Sequence, residues 1–180
     1  MPEKSFVATR EPGGAPFAEK IRELMISDAA KTARAETQFG LAWAARADHL
    51  YNFIIPNLKA GRHVISDRFD SSTYAYQIYG QGGGELEKLF WQTRAVYLRE
   101  QKPDLYIFFD VDPKIGMERA LSRKGGKTHF DAAPLDYYKR VEKGFIEFFK
   151  KVPHAVIDAN QPIEKVERDF AVLIKKTFNL

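Results

Sequence analysis

The chain has 180 residues, 44% hydrophobic and 29% charged, with no cysteine and a formal net charge of +4. That length supports one domain with a sizeable core, and the absence of cysteine excludes disulfides, thiolate metal sites and a cysteine nucleophile. A pI of about 9.2 favours anionic ligands without reaching a nucleic-acid signature. No apolar run approaches the roughly 20 residues of a membrane span, and Met1-Pro2-Glu3-Lys4-Ser5 lacks signal-peptide architecture. A cytoplasmic protein without a membrane or nucleic-acid partner is expected.

Ser5 to Thr9 reads as a strand ending in Arg10-Glu11-Pro12-Gly13-Gly14, strong turn chemistry that places a charged pair at a strand-to-loop junction. Phe17, Ile21, Leu24 and Met25 then recur at helical spacing. A long helix is predicted from about Ala35 to Lys59, strained near Pro56, with Phe39, Trp43, Leu50 and Ile54 on one buried face and Arg46 among alanines. His63 to Ser66 reads as a buried strand delivering Asp67-Arg68, then Ser71, Ser72 and Thr73, an aromatic pair and Gln77. Tyr79 to Gly84 reads as a flexible loop, followed by a helix from about Glu85 to Arg99. Leu105 to Phe109 reads as a fully buried strand ending at Asp110. A helix follows from Pro113 to about Ser122, then a basic Gly-containing segment, Arg123 to His129, and a helix from about Pro134 to Lys151. Strand His154–Asp158 and a helix from about Pro162 to Phe178 close the chain. Alternating strands and helices, without repeat or linker, predict one three-layer α/β domain over residues 1–180, with a parallel sheet and helices on both faces.

Ligands of open parallel sheets bind at the carboxyl ends of the strands, so Arg10-Glu11, Asp67-Arg68 and Asp110 mark the candidate site. Arg22, Arg46 and Arg68 are candidates for one anion pocket, each guanidinium a planar fork suited to phosphate. Ser72 and Gln77 suit a polar heterocycle. Taken singly, each arginine also reads as a solvated surface residue, and the basic segment as a solvated loop; their order along the chain is what groups them.

The motifs Thr9-Arg10-Glu11-Pro12-Gly13-Gly14, Asp67-Arg68-Phe69 with Ser72, Ala75, Tyr76 and Gln77, Pro103-Asp104-Leu105 with Asp110-Val111, and Ile157-Asp158-Ala159 with Gln161 and Pro162 resemble the thymidylate kinases, in order and over nearly the whole chain. The resemblance implies a P-loop-kinase-like fold, a homodimer, and phosphoryl transfer from ATP to dTMP with Mg²⁺. By resemblance, Arg22 and Arg68 hold the dTMP phosphate, Arg46 and Gln77 contact the thymine, and Glu11 and Ser72 line the sugar side. Asp67 lies near metal and phosphates and, with Arg68 and Arg123, is assigned to catalysis. Ala159 lies near the adenine, and Arg119 with Arg123 at the root of a lid over about 122–133. Ala42 stands where the family usually has a phenylalanine stacking on thymine.

Such kinases begin with a strand and a G-x-x-x-x-G-K-[ST] loop that holds the ATP phosphates. Eight residues precede Thr9 here, whereas a strand-loop-helix unit needs about 30. The first, central strand of the family, between His63–Ser66 and Leu105–Phe109, is therefore expected to be missing, as in a shortened kinase or one whose gap is filled by rearranged pairing or another chain. Two alternatives stay open: a non-catalytic nucleotide-binding or assembly relative, and a nucleic-acid module resting on charge and 13% aromatics.

Overall fold

The computed structural model describes residues 5–122 and 133–178. Strand β1 (Phe6–Arg10) pairs in parallel with β2 (His63–Asp67), Phe6 opposite His63 and Arg10 opposite Asp67. Strand β3 (Tyr106–Asp110) pairs in parallel with β4 (His154–Asp158). These are two separate two-stranded sheets. Each parallel pair is joined by a helical crossover, as parallel pairing requires. The fold is a helix-rich α/β arrangement in which β2 and β3 belong to different sheets.

That division corrects the expected burial of the strands. In β2, His63 to Ser66 are half-buried, and in β3 only Tyr106 is buried while Phe109 is 42% exposed. A fully buried strand needs neighbours on both edges and cover on both faces, whereas among the described residues each strand has one partner. Phe109 leans on Phe170, ring centroids 5.8 Å apart.

Helix α1 (Pro16–Ile26) opens on a proline, whose missing N–H costs nothing in a first turn. Its buried face is Ala18, Ile21 and Met25, packed with Ala42 and Ala45. Phe17 and Leu24, predicted on the same stripe, point outward. Small residues on both sides of the contact bring the helices close and leave the larger side chains outside.

The predicted long helix is one continuous helical run of three parts: α2 (Ala35–His49), π-helical turns over Leu50–Ile54, and α3 (Ile55–Lys59). Pro56 offers no N–H and its ring crowds the preceding turn, so the ladder widens just ahead of it. Phe39, Trp43, Leu50 and Ile54 are all buried. Their face is used within the chain's own core.

A short helix, α4 (Asp70–Thr73), passes into π-helical turns over Tyr74–Gly80. Tyr79 and Gly80, predicted as loop, therefore lie in helix. Contact with α7 (Leu135–Phe149) is what holds them: Arg140 donates from Nη2 and Nε to the Gly80 carbonyl at 2.9 and 3.2 Å. Helix α5 (Glu87–Leu98) carries Phe90, which meets Trp43, Tyr74 and Phe148 in the aromatic centre of the main core. Helix α6 (Pro113–Ser122) is capped by Asp112, whose carboxylate accepts the Lys114 N–H at 2.8 Å. Helix α8 (Ile163–Phe178) closes the chain. No described helix is long and apolar enough to cross a membrane.

Gly144 is where α7 meets the π-helical turns. A Cβ there would lie 2.8 Å from Ala75 Cα and 2.9 Å from Tyr79 Cβ. Because the first neighbour is backbone, Gly144→Ala is expected to destabilise the fold by about 1–3 kcal/mol, the usual cost of overpacking. A denaturant midpoint equal to that of the wild type would show that α7 is not seated there.

Candidate active site

The carboxyl ends of β1 and β2 open onto one cavity of about 500 Å³. Its wall carries Glu11 from the turn after β1, Arg22 from α1, Arg46 from α2, Asp67 and Arg68 from the end of β2, and Ser72 and Gln77 from the helix that follows. Seven predicted site residues, drawn from five segments, thus share one hollow with Ala42.

Several are held by specific chemistry. Arg46 and Glu11 are almost fully buried, at 3% and 4% exposure, and pair Nε to Oε2 at 2.9 Å. A carboxylate at that depth requires such a partner. Arg46 also donates to Thr73 Oγ1 at 3.1 Å and lies 4.5 Å over the Trp43 ring, yet its Nη1 finds no acceptor among the described residues. Arg22 donates to the Pro12 carbonyl at 3.0 Å; burial, then the charge of Arg10, lowers its guanidinium from the ordinary value. Arg68 sits at φ 70°, a left-handed conformation costly for a side-chain-bearing residue. Its Nε donates to Ser72 Oγ at 3.1 Å and its guanidinium lies 4.7 Å from the Tyr76 ring centroid. The carbonyl of Asp67 accepts the Glu11 N–H at 2.9 Å, tying the two strand ends together.

Glycine is needed in the turn after β1. Gly14 has φ +82°, and a Cβ on it would fall 2.5 Å from His49 Nε2 and 2.6 Å from Thr9 Oγ1.

Comparison with known proteins fits this arrangement. The family model described as "Thymidylate kinase" matches residues 1–170. The thymidylate kinase of Ruegeria pomeroyi is 38% identical over 175 residues, covering 96% of this chain and 82% of that protein. That of Alteromonas mediterranea is 40% identical over 167 residues, covering 92% and 74%, and that of Hahella chejuensis 38% over 172 residues, covering 92% and 79%.

The chain belongs to the thymidylate kinase family. It is a phosphotransferase of the dTMP kinase class, which disfavours the non-catalytic and nucleic-acid alternatives.

A second hollow of about 390 Å³ is lined by Phe109, Arg119, Ala159, Gln161, Ile163 and Val166. Phe109 borders both cavities of the kinase. Arg119 donates from Nη1 to the Ala159 carbonyl at 2.6 Å and from Nη2 to that of Gln161 at 3.2 Å. Its guanidinium therefore braces the loop after β4. Arg123 and most of the predicted lid, 123–132, lie outside the described residues.

Sequence reasoning missed one wall of the first cavity: Tyr138, Val141, Glu142 and Phe145 of α7. The signal was a carboxylate on an otherwise apolar stripe at helical spacing. Burial, then the carboxylates of Asp110 and Asp112, push Glu142 above its ordinary value. Thr73, which fixes Arg46, was also missed, since nothing local distinguishes it from its hydroxyl neighbours Ser71 and Ser72.

Proposed function

We propose that the first cavity binds dTMP and the second the adenine side of ATP, the chain transferring a phosphoryl group between them with Mg²⁺. Arg22 and Arg68 hold the dTMP phosphate, Arg46 and Gln77 contact the thymine, and Glu11 and Ser72 face the sugar. Ala159 lies against the adenine on a loop braced by Arg119, and Arg123 brings charge from the lid. Three guanidinium groups from separate segments on one cavity wall, with the Asp67 carboxylate beside them, are the observation that supports this reading most. Phosphoryl transfer asks a protein mainly for positioning and for positive charge around the transferred group.

Mg²⁺ keeps several waters and takes one or two carboxylates together with substrate phosphates. The Asp67 carboxylate on the cavity wall fits that demand, and among the described residues no cluster of three or more His, Asp or Glu forms a closed cage. Bound there, the ion neutralises charge on the phosphates. The chain's own residues orient the acceptor phosphate (Arg68, Arg22), hold the base (Arg46, Gln77) and narrow access to water from the α7 wall.

We further propose that the two sheets are halves of one three-layer parallel sheet whose central strand would lie between β2 and β3, and that the kinase is a single-domain, cytoplasmic homodimer. Support for the first comes from the ends of β1 and β2 and the β3 residues Phe108 and Phe109 bordering the same cavity.

Thermal denaturation with dTMP or thymidine, each alone, tests the phosphate assignment. A ligand at 100 times its Kd raises stability by about 2.7 kcal/mol. The expected result is a larger shift with dTMP than with thymidine, the difference narrowing in Arg22→Ala together with an increase of about tenfold in KM for dTMP. Equal shifts from the two ligands would remove the phosphate from Arg22 and Arg68.

A further inference from the structure

His49, the last residue of α2, is completely buried and does not line the cavity. Both ring nitrogens are engaged: Nδ1 lies 3.0 Å from Glu11 Oε1, and Nε2 lies 2.7 Å from Thr9 Oγ1. Glu11 uses its other oxygen on Arg46. The result is a continuous chain of side chains, Thr9, His49, Glu11, Arg46 and Thr73, that begins on β1 and ends on α4. Only its middle members, Glu11 and Arg46, and its far end, Thr73, reach the cavity.

An ionised carboxylate only accepts hydrogen bonds. Glu11 pairs with Arg46, so its Oε1 requires a donor, and the atom placed there is His49 Nδ1. Nδ1 therefore carries the proton. Nε2 meets the Thr9 hydroxyl, a group able to donate or to accept. The imidazole stacks on Phe53, ring centroids 5.7 Å apart, and the turn at Gly14 closes over Nε2 so tightly that a Cβ does not fit. Ring orientation is thus fixed by packing as well as by hydrogen bonds.

We propose that His49 is a positioning residue of this kinase: it fixes the rotamer of Glu11, and through Glu11 the guanidinium of Arg46, for the nucleotide in the first cavity. The inference rests on the reading of that cavity as the dTMP site. Without the Nδ1 donor, Glu11 keeps a buried oxygen unsatisfied and gains freedom to turn from Arg46. Arg46 then loses the brace at its Nε, while its Nη1, which has no acceptor among the described residues, loses a fixed direction. The effect falls on nucleotide-monophosphate binding and leaves the second hollow, walled by other residues, untouched.

Two substitutions of similar kind separate this role from general support of the core. In His49→Asn the side-chain amide N–H reaches the place of Nδ1 and still serves Glu11. In His49→Gln the amide reaches the place of Nε2, serves Thr9 and leaves Glu11 without its donor. The expected result in a coupled assay with ATP and Mg²⁺ is a rise of about tenfold in KM for dTMP in His49→Gln, with KM for ATP unchanged. His49→Asn is expected to stay within about threefold of the wild type. Equal effects of the two variants on KM for dTMP, or parallel rises in both KM values, would overturn the proposal. In ¹⁵N-labelled wild-type protein, NMR is expected to show His49 protonated at Nδ1, with that proton protected from exchange with water; a ring protonated only at Nε2 would also overturn it, even if a variant fails to fold. Absence of dTMP binding by the wild type would remove the cavity reading itself, an outcome distinct from variants that fail to discriminate on a working kinase.

Discussion

Arg68→Ala is expected to lower kcat for dTMP phosphorylation by about 10³-fold, within the range seen when a charge-stabilising group at a transferring phosphoryl is removed. Among the described residues its guanidinium makes no ion pair within 4.0 Å; it rests on Ser72 Oγ and the Tyr76 ring, so its charge is left for the cavity. The left-handed backbone at φ 70° aims the side chain, a conformation retained only where its surroundings hold it. Ser66 Oγ donates to the Arg68 carbonyl at 2.8 Å and the Ser72 N–H to the Phe69 carbonyl at 3.0 Å, which hold the turn on both sides. Arg68→Lys is expected to recover part of the loss only, because an ammonium is a point charge and cannot engage two phosphate oxygens as a fork. The measurement is a coupled assay with ATP, Mg²⁺ and dTMP, read beside the melting temperature. Turnover within twofold of the wild type in Arg68→Ala would show that this guanidinium does not act on the transferred group.

The second large effect concerns stability. Asp70 is fully buried; its Oδ2 accepts from Arg94 Nε at 2.6 Å and its Oδ1 from the Tyr106 hydroxyl at 2.5 Å, while Arg94 Nη2 donates to Tyr106 at 3.2 Å. Burial, then the Asp70 carboxylate, push Tyr106 well above the ordinary phenol range, so its proton stays in place and donates. Asp70 opens α4 just behind β2, and Tyr106 opens β3. The triad therefore ties together two sheets that share no ladder. Asp70→Asn leaves the Arg94 charge buried without its counterion, and a loss of about 3–5 kcal/mol is expected. Removing both charges in Asp70→Asn/Arg94→Met is expected to cost less than the sum of the single changes, since the unpaired charge goes. Tyr106→Phe, which removes one hydroxyl, is expected to cost about 1–3 kcal/mol. Denaturant unfolding measures all three; a single-variant loss below about 1 kcal/mol at Asp70 would mean that water or another residue satisfies Arg94.

The cavity was legible where its residues sit on local patterns. Arg10-Glu11 and Asp67-Arg68 follow apolar strands and precede turn chemistry, so their place at strand ends could be written down from the chain alone. Arg22 and Arg46 were singled out by residue type and by their order along the chain. The α7 wall was not, because an amphipathic helix shows that it has an inner face without showing what that face meets. His49 gave no signal either: its partners lie 38 and 40 positions away in the chain.

Sequence alone determined the order of elements, the strand ends that carry charge and the family motifs, because apolar period, proline and glycine act on neighbouring residues. Tertiary structure decided which charges pair. Glu11 could have met Arg22 or Arg68 as readily as Arg46, 35 positions away, until α2 packed beside β1. It also decided that Tyr79 and Gly80 stay helical, through Arg140 of α7. These outcomes depend on contacts between distant segments, and no local propensity encodes them.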